Sequence, residues 1–279
     1  MFRPQRPKND NYSADQHVHR QSAPQKKEYK TRRVPEKQMI FGIRAVLEAI
    51  DAGKEFDKIM LRRDMSSDLA RQLLAKLNGL TTPIQRVPVE KLNQLTDKNH
   101  QGVIAFISPI QFSKIEDVVP TIYEEGRMPA IMVLDGITDV RNLGAIARTC
   151  SCAGVDALLI PARGVASINA DAVKTSAGAL HTLPVCRVEN LKNALQFLKD
   201  SGLNIVAATE HTDKDYTQAD FNRPIAIVMG AEDEGIDPTI LDMCDTQVRI
   251  PMFGNIESLN VSVAAGVVMY EMVRQRNNK

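Results

Sequence analysis

Two short loops near the C-terminal end of the chain gather residues that could position a substrate. Gly230 to Gly235 is a turn with three carboxylates, and it follows the apolar run from Ile225 to Met229. The loop from Gly254 to Asn260 carries small polar side chains and follows the run from Gln247 to Ile250. Buried apolar runs of this kind predict parallel strands, and open α/β sheets bind ligands beyond the carboxyl ends of their strands. We therefore expect the two loops to meet at one ligand site.

A third polar segment follows another predicted strand. Ala130 to Leu134 is strand-like, and the segment NLGAIAR, from Asn142 to Arg148, comes soon after it. Free N–H groups near the beginning of a helix favour an anion, so we predict an anion site at Asn142 and Gly144. Arg148 lies about one helical turn beyond Gly144, where its guanidinium would suit an RNA phosphate.

Together the segments NLGAIAR, GAEDEGI and IPMFGNIESLNVSVA resemble the signature motifs of the SpoU–TrmH family of RNA ribose 2′-O-methyltransferases, in the SPOUT superfamily. The resemblance covers about residues 130–275, with order and spacing kept. It implies an α/β fold with a parallel sheet, whose last segment threads a loop to form a deep trefoil knot. Hydrophobic patterning would not predict the knot, because knots are nearly absent from proteins. The resemblance also implies S-adenosylmethionine as methyl donor and RNA as acceptor.

The resemblance assigns the acceptor chemistry to residues in all three segments. The predicted catalytic group comprises Arg148, Asn142, Glu232, Ser258 and Asn260. Arg148 would activate the 2′-hydroxyl, and electrostatic activation is easier than base catalysis for a side chain that does not readily give up its proton. Glu232 would orient Arg148 or hold Asn142, and a purely structural salt bridge between Arg148 and Glu232 is the alternative. Ser258 and Asn260 would position the ribose, or else close the loop and cap the next helix.

The methyl donor is expected to lie among tight loops, since the chain lacks a G-x-G-x-x-G loop. The predicted cofactor-binding residues are Gly230, Ile250, Leu259, Thr209, Glu210, Ala231 and Met252. Gly230 would let the backbone approach the cofactor closely, or would serve the geometry of the turn alone. Backbone polar groups at Ile250 and Leu259 would hold adenine and ribose. No metal site is expected, because the four cysteines show no zinc-binding spacing.

The upstream part of the chain alternates short helix and strand patterns, which predicts a small α/β domain over residues 38–108. The segments FGIRAVLEAI and NHQGVIAFI resemble the substrate-binding domain of ribosomal-RNA guanosine methyltransferases of the same family. Within it, His100 and Gln101 are expected to lie near bound RNA. Residues 109–129 contain three prolines and are expected to be a linker with a single helix, followed by the methyltransferase domain over residues 130–279.

Charge is distributed unevenly along the chain. Residues 1–37 hold ten Lys or Arg against four Asp or Glu, whereas the remainder holds 25 against 30. This basic arm has almost no aliphatic residues, so it is expected to be disordered and to favour a polyanionic partner such as RNA. No apolar run approaches the roughly 18 residues of a membrane span, and the N-terminus lacks the apolar core of a signal peptide. We expect a cytoplasmic protein with reduced cysteines and no membrane partner.

The combined hypothesis is S-adenosylmethionine-dependent methylation of a ribose 2′-hydroxyl in RNA, at a guanosine of 23S ribosomal RNA. The alternatives are a tRNA 2′-O-methyltransferase and a non-catalytic RNA-binding or ribosome-assembly protein of the same fold. A transferase acting on a small molecule would leave the basic arm and the extra domain unexplained.

The closing helix, predicted from Val261 to Arg276, bears on assembly. Its helical spacing predicts burial of the residues Val263, Val267, Val268 and Met272. SPOUT enzymes resemble one another in being dimers, so a homodimer is expected. Val267, Met269 and Tyr270 are the predicted interface residues, and burial within one chain is the alternative.

Overall fold

Two β-sheets organise the part of the chain that the computed structural model describes, residues 39–277. One sheet has four strands and the other has six. The predicted disordered basic arm, residues 1–37, lies outside the described residues.

The first sheet is mixed and small. Its strands are β1 (Met39–Phe41), β2 (Phe56–Arg62), β3 (Ile84–Val87) and β4 (Val103–Ile107), in the order β1-β4-β2-β3. Only β2 and β3 are parallel. The helices that cover the sheet are α1 (Ile43–Asp51), α2 (Asp68–Leu77) and α3 (Val89–Asn93). Alternation of helix and strand predicted these elements apart from β1, which is too short to show a period of two.

The second sheet is wholly parallel and has the order β10-β8-β9-β5-β6-β7. Its strands are β5 (Ala130–Leu134), β6 (Ala157–Pro161), β7 (Val185–Val188), β8 (Asn204–Ala208), β9 (Ile225–Met229) and β10 (Thr246–Val248). A strand buried on both faces must be apolar throughout, and every residue of β5 and of β9 is buried. The predicted α/β class with a parallel sheet is therefore confirmed.

Helices cover both faces of the six-stranded sheet. They are α4 (Ile115–Glu124), α5 (Val140–Ala153), α6 (Ala170–Thr175), α7 (Leu191–Asp200), α8 (Pro238–Leu241) and α9 (Val261–Asn277). Met132 and Leu134 of β5 pack with α5 and α9, whereas Ile131 and Val133 pack with α4 and α7. Successive side chains of a strand point to opposite faces, so each strand contributes to both cores. Among residues 39–277, no helix combines the length and apolar character needed to cross a membrane.

Helix α4 (Ile115–Glu124) lies within residues 109–129, the segment predicted as a linker with a single helix. Its residues Val119 and Ile122 are buried and pack with the strands and with α7. The segment therefore contributes to the core of the six-stranded sheet. The domain limits at residues 38–108 and 130–279, and the deep trefoil knot, stay predictions.

Helix α9 lies against α5 and partly departs from its predicted burial. Val268 and Met272 are buried as the spacing predicted, but Val263 is 52% exposed, so its predicted burial was wrong. Met269 was predicted at a dimer surface and is instead fully buried within the chain. Tyr270 is 52% exposed. Apolar residues occur on several sides of this helix, so sequence spacing does not separate its core side from its surface.

The four cysteines are free thiols. Cys150 and Cys152 lie in α5, where the first is buried and the second is exposed. Burial raises the pKa of both Cys186 and Cys244 to about 12. A raised pKa suppresses the reactive thiolate, so these two residues fill space in the core.

Candidate active site

Helix α5 begins earlier than the motif NLGAIAR suggested. It starts at Val140 and its N-cap is Asp139, so Asn142 already lies in the first turn. The Asp139 carboxylate accepts hydrogen bonds from the backbone N–H of Arg141 (2.6 Å) and of Asn142 (3.2 Å). Because these N–H groups are occupied by a negatively charged cap, the predicted anion site at this position was wrong.

Gly144 serves the packing of two helices. A Cβ at this position would lie 2.7 Å from the Cβ of Thr175 and 2.9 Å from the carbonyl oxygen of Ala172. The absence of a side chain therefore lets α5 and α6 approach closely. Hydrophobic patterning does not predict this contact, because its partners lie in another helix, α6.

The turn after β9 is tight because of Gly230. This residue is buried, and a Cβ on it would lie 2.2 Å from the carbonyl carbon of Gly235. Ala231 N–H donates to Gly235 O (2.9 Å) and Gly235 N–H donates to Ala231 O (3.0 Å), which closes the turn. Turn geometry, the alternative considered for Gly230, is thus sufficient to require glycine. The closed turn carries Glu232 and Asp233 at its outer end.

Three segments of the chain meet at the carboxylate of Glu232. Its Oε1 accepts hydrogen bonds from Nδ2 of Asn142 (3.1 Å) and Nδ2 of Asn260 (2.5 Å). The backbone N–H of Val261 donates to the same oxygen (3.3 Å), and Asn260 Nδ2 also donates to Asn142 Oδ1 (3.0 Å). We call Asn142, Glu232 and Asn260 the polar network. It joins α5, the β9 turn and the start of α9.

Asn260 belongs to the polar network and also caps α9. Its Oδ1 accepts hydrogen bonds from the backbone N–H of Ser262 (3.0 Å) and from the Ser262 hydroxyl (2.5 Å). The amide nitrogen faces the network while the oxygen faces the helix, so the predicted cap is formed and the positioning of the ribose by Asn260 stays a prediction. Ser258, two residues earlier, is exposed.

Arg148 is exposed on α5 and lies outside the polar network. Within residues 39–277 its side chain makes no hydrogen bond or ion pair. The structural salt bridge to Glu232 is therefore not formed, and Glu232 holds Asn142 instead. The guanidinium of Arg148 is available to an external partner.

A pocket of about 280 Å³ lies beside the polar network, beyond the carboxyl ends of β8, β9 and β10. All seven predicted cofactor-binding residues line it, as do two of the predicted catalytic residues, Glu232 and Ser258. Lining residues that the sequence analysis did not single out as ligand contacts are Ala208, Met229, Asp233, Gly235, Val248, Glu257, Val261 and Ala264. Asn142, Arg148 and Asn260 do not line this pocket; Asn142 and Asn260 are joined to it through Glu232.

The pocket has both acidic and apolar lining residues. Four carboxylates line it, those of Glu210, Glu232, Asp233 and Glu257, and none of its described lining residues is Lys or Arg. Ile250 and Leu259 are among its apolar lining residues. Such a lining attracts a cationic ligand that also has an apolar part, and it repels phosphate.

His100 and Gln101, predicted to lie near RNA, hold the fold of the small sheet. His100 is buried, its Nδ1 accepts the backbone N–H of Gly102 (3.0 Å), and its Nε2 lies 2.8 Å from Asn93 Oδ1. Gln101 Oε1 accepts the backbone N–H of Ile43 at the start of α1 (3.1 Å). Both side chains make internal hydrogen bonds that stabilise the small sheet, and their expected position near RNA stays a prediction.

Comparison with known proteins gives two family matches. Residues 129–270 match the SpoU rRNA Methylase family, and residues 39–113 match the family described as RNA 2'-O ribose methyltransferase substrate binding. A protein of Staphylococcus saprophyticus named as a TrmH family tRNA/rRNA methyltransferase is 36% identical over 239 residues. That alignment covers 86% of this chain and 96% of the relative.

Solved structures show the same fold. A crystal structure of an RNA 2'-O ribose methyltransferase is 29% identical, with a TM-score of 0.50, and the match covers 86% of this chain and 88% of that one. The SpoU methyltransferase AviRb from Streptomyces viridochromogenes, in complex with the cofactor AdoMet, is 24% identical with a TM-score of 0.54. That match covers 86% and 91% of the two chains, and at this identity it speaks for the fold alone.

Proposed function

From the premise that this chain belongs to the SpoU rRNA Methylase family and is an RNA methyltransferase, we propose that it methylates a ribose 2′-hydroxyl, at a guanosine of 23S ribosomal RNA. The observation that carries the proposal is the convergence of three chain segments in the polar network, directly beside an acidic and apolar pocket. The match of residues 39–113 to a substrate-binding family for RNA 2'-O ribose methyltransferases supports the acceptor.

The pocket fits S-adenosylmethionine. This cofactor supplies a methyl group on a positively charged sulfonium, and it also carries an ammonium group and adenine but no phosphate. The four carboxylates of the lining stabilise positive charge, and apolar lining residues such as Ile250 and Leu259 accommodate the flat adenine ring. A dinucleotide would place phosphates against the same carboxylates, which disfavours it.

The polar network positions the acceptor ribose through Asn142. Asn260 Nδ2 donates one hydrogen bond to Glu232 and one to Asn142, so both of its N–H groups are occupied. Asn142 Nδ2 donates a single hydrogen bond, to Glu232. The second N–H of Asn142 is therefore left to hold a ribose oxygen. Ser258, at the edge of the pocket, adds a hydroxyl next to the same place. Holding the acceptor oxygen at near-attack distance is a large part of catalysis in a displacement reaction.

Arg148 activates the acceptor electrostatically. Its guanidinium stays charged at neutral pH, and within the described residues it has no internal partner that would neutralise it. A positive charge near the 2′-oxygen stabilises the negative charge that develops there as the proton leaves. The same guanidinium can hold the adjacent phosphate by two parallel hydrogen bonds.

We further propose a homodimer that acts in the cytoplasm. Phe253 and Ile256 of the loop before α9 are 96% and 78% exposed, and Val263 and Tyr270 of α9 are each 52% exposed. Large exposed apolar side chains grouped along one loop and helix favour a protein partner, and a second copy of this chain would cover them. Light scattering should give twice the chain mass, and Phe253→Glu should give a monomer. A wild-type monomer at micromolar concentration would refute the dimer.

Methyl transfer to separate RNA classes tests the proposed reaction. The purified full chain is incubated with methyl-labelled S-adenosylmethionine and with 23S ribosomal RNA, 16S ribosomal RNA or total tRNA. We expect label in 23S ribosomal RNA, and Arg148→Ala should slow its incorporation by about 10²-fold. Label in tRNA alone would replace the proposed substrate by the tRNA alternative. Binding of RNA without any transfer, and without calorimetric binding of the cofactor, would favour the non-catalytic alternative.

A further inference from the structure

A second cleft, larger than the cofactor pocket, lies between the two sheets. Its volume is about 550 Å³. One wall comes from the small sheet and includes Asp57, Lys58 and Gln85; the other comes from the segments after β5 and β6 and includes Thr138 and Arg163. This volume is within the range of pockets that enclose a small molecule, so the cleft can hold one nucleotide.

Arg187 of β7 ties the two walls together. Its Nη1 donates to the carbonyl oxygen of Phe56 (2.9 Å) and its Nη2 donates to the hydroxyl of Thr82 (3.2 Å), both outside the six-stranded sheet. The guanidinium carbon lies 3.8 Å from the centroid of the Phe112 ring. Burial of a cation in this way lowers the pKa of Arg187, and Arg187 keeps its charge because its ordinary pKa is so high.

A second tie crosses the cleft through Asp57. Its carboxylate accepts hydrogen bonds from the Ser167 hydroxyl and from the backbone N–H of Ile168 (3.0 Å). The small sheet is therefore held at two places, by Arg187 of β7 and by the loop that follows β6. A cleft whose walls are held in this way exists before a ligand arrives, which reduces the entropy lost on binding.

The cleft has a positive lining. Arg187 contributes to it, although its side chain is only 4% exposed and its Nε, which has no hydrogen-bond partner within residues 39–277, is enclosed by protein. Lys58 and Arg163 add two more cations, whereas the one carboxylate in the lining, that of Asp57, is already hydrogen-bonded. The cleft thus suits a phosphate or a base carbonyl, unlike the acidic cofactor pocket.

The cleft also continues towards the polar network. Thr138 and Val140 line it, and they flank Asp139, the N-cap of the helix whose first turn carries Asn142. An RNA strand that places one ribose at Asn142 can therefore reach the cleft with a neighbouring nucleotide. Single-stranded RNA is recognised by splaying nucleotides into such pockets, where cations hold the phosphate.

We propose that this cleft binds one unpaired nucleotide of the substrate RNA, next to the nucleotide that is methylated, with its phosphate on Lys58 and Arg163. The inference rests on the proposed function, because it takes RNA as the substrate. It adds that selection of the target depends on a flanking nucleotide held between the two sheets.

Charge-removing variants in the full chain test the cleft. In Lys58→Gln and Arg163→Gln, and in the double variant, binding of a fluorescent single-stranded fragment of 23S ribosomal RNA is measured by anisotropy over a salt series. The matched control is Arg71→Gln on α2, an exposed arginine outside the cleft. Each cleft substitution should weaken RNA binding several-fold and reduce the slope of log affinity against log salt by about 0.7. The control should keep the slope and affinity of the wild type.

Three results would overturn the inference. One is RNA affinity within twofold of the wild type in the double variant, and another is an equal loss in Arg71→Gln. The third is binding of guanosine monophosphate as tight as that of the RNA fragment, which would indicate a site for a free nucleotide. Photo-crosslinking of 4-thiouridine RNA provides a direct readout, with cross-links expected in residues 83–86 and 163–168.

The proposed function fails by a different measurement. Loss of cofactor binding is read by calorimetry, and the cleft variants should bind S-adenosylmethionine as the wild type does, because neither residue lines the cofactor pocket. A wild type that binds RNA but not the cofactor would refute the proposed reaction and leave the cleft result valid. A wild type that binds the cofactor but no RNA would refute the proposed binding of a nucleotide in the cleft.

Discussion

Replacing Asn142 with Asp tests whether the polar network positions the acceptor. The substitution preserves the size of the side chain but exchanges Nδ2, which donates to Glu232 Oε1 at 3.1 Å, for an oxygen. Two carboxylates then face each other where one hydrogen bond existed. Like charges about 4 Å apart repel by about 1 kcal/mol in water and about 4 kcal/mol near a protein surface. The lost hydrogen bond to a charged acceptor adds about 1 kcal/mol or more.

Because Glu232 is exposed, the lower part of this range applies. A loss of about 2 kcal/mol in positioning corresponds to a roughly 30-fold slower methyl transfer. The affinity for S-adenosylmethionine should change little, since Asn142 does not line the cofactor pocket. The assay is single-turnover methyl transfer to RNA, accompanied by calorimetric binding of the cofactor. Asn193→Asp on α7, which covers the other face of the sheet, is the matched control.

The pH dependence of the Asn142→Asp variant provides a second test. Repulsion between the two carboxylates of the variant raises the pKa of one of them, so the pair binds a proton and loses one negative charge as the pH falls. The defect should therefore be largest at high pH and should shrink on acidification, relative to the wild type at each pH. A rate within threefold of the wild type, or a defect that grows as the pH falls, would refute the positioning role of the network.

The remaining predictions concern packing, activation and pH. Gly144→Ala should lower the free energy of unfolding by about 1–3 kcal/mol, because the new Cβ would lie 2.7 Å from the Cβ of Thr175. In the control Gly266→Ala the nearest atom to the new Cβ would lie 3.7 Å away, so that substitution should be neutral or stabilising by up to about 1 kcal/mol. Urea unfolding that reverses this order would contradict the packing. Arg148→Ala should slow methyl transfer by about 10²-fold with cofactor affinity unchanged, and transfer at full rate would remove Arg148 from the mechanism. Burial, aided by the charge of Arg62, lowers the pKa of His100 below 6.5. The unfolded state therefore binds more protons, and the free energy of unfolding falls as the pH decreases through and below 6.5. This fall should be smaller in His100→Gln, and equal pH slopes of the unfolding free energy in the two proteins would refute the prediction.

Sequence alone predicted β5 and β9 of the six-stranded sheet well, whereas the run predicted from Gln247 to Ile250 overlaps β10 (Thr246–Val248) only in part. Ala130–Leu134 and Ile225–Met229 are short apolar runs bounded by turn residues, and the structure has strands with those bounds. The prediction works because both faces of such strands are buried, so every position carries the same signal. It fails for Val263 because α9 is apolar on several sides, and only the tertiary structure decides which side meets α5.

The candidate site was predicted from motif resemblance, and its physics was not. The chain pattern does not reveal that Glu232 holds two amides at once, since those amides lie in distant segments. The acidic character of the pocket depends partly on Asp233 and Glu257, to which the sequence motifs assigned no role. Arg187 stands as a lone charge in the buried strand β7, and that exception to the apolar pattern was the signal that could have revealed the contact between the sheets.

The most direct test of the account is the chemical position of the transferred methyl group. RNA methylated by the purified protein is digested to nucleosides and analysed by mass spectrometry, and the modified position is mapped by resistance to alkaline hydrolysis. We expect a single 2′-O-methylguanosine in 23S ribosomal RNA, formed about 30-fold more slowly by Asn142→Asp and about 10²-fold more slowly by Arg148→Ala. A methyl group on a base, or no transfer to RNA in the presence of bound cofactor, would contradict it.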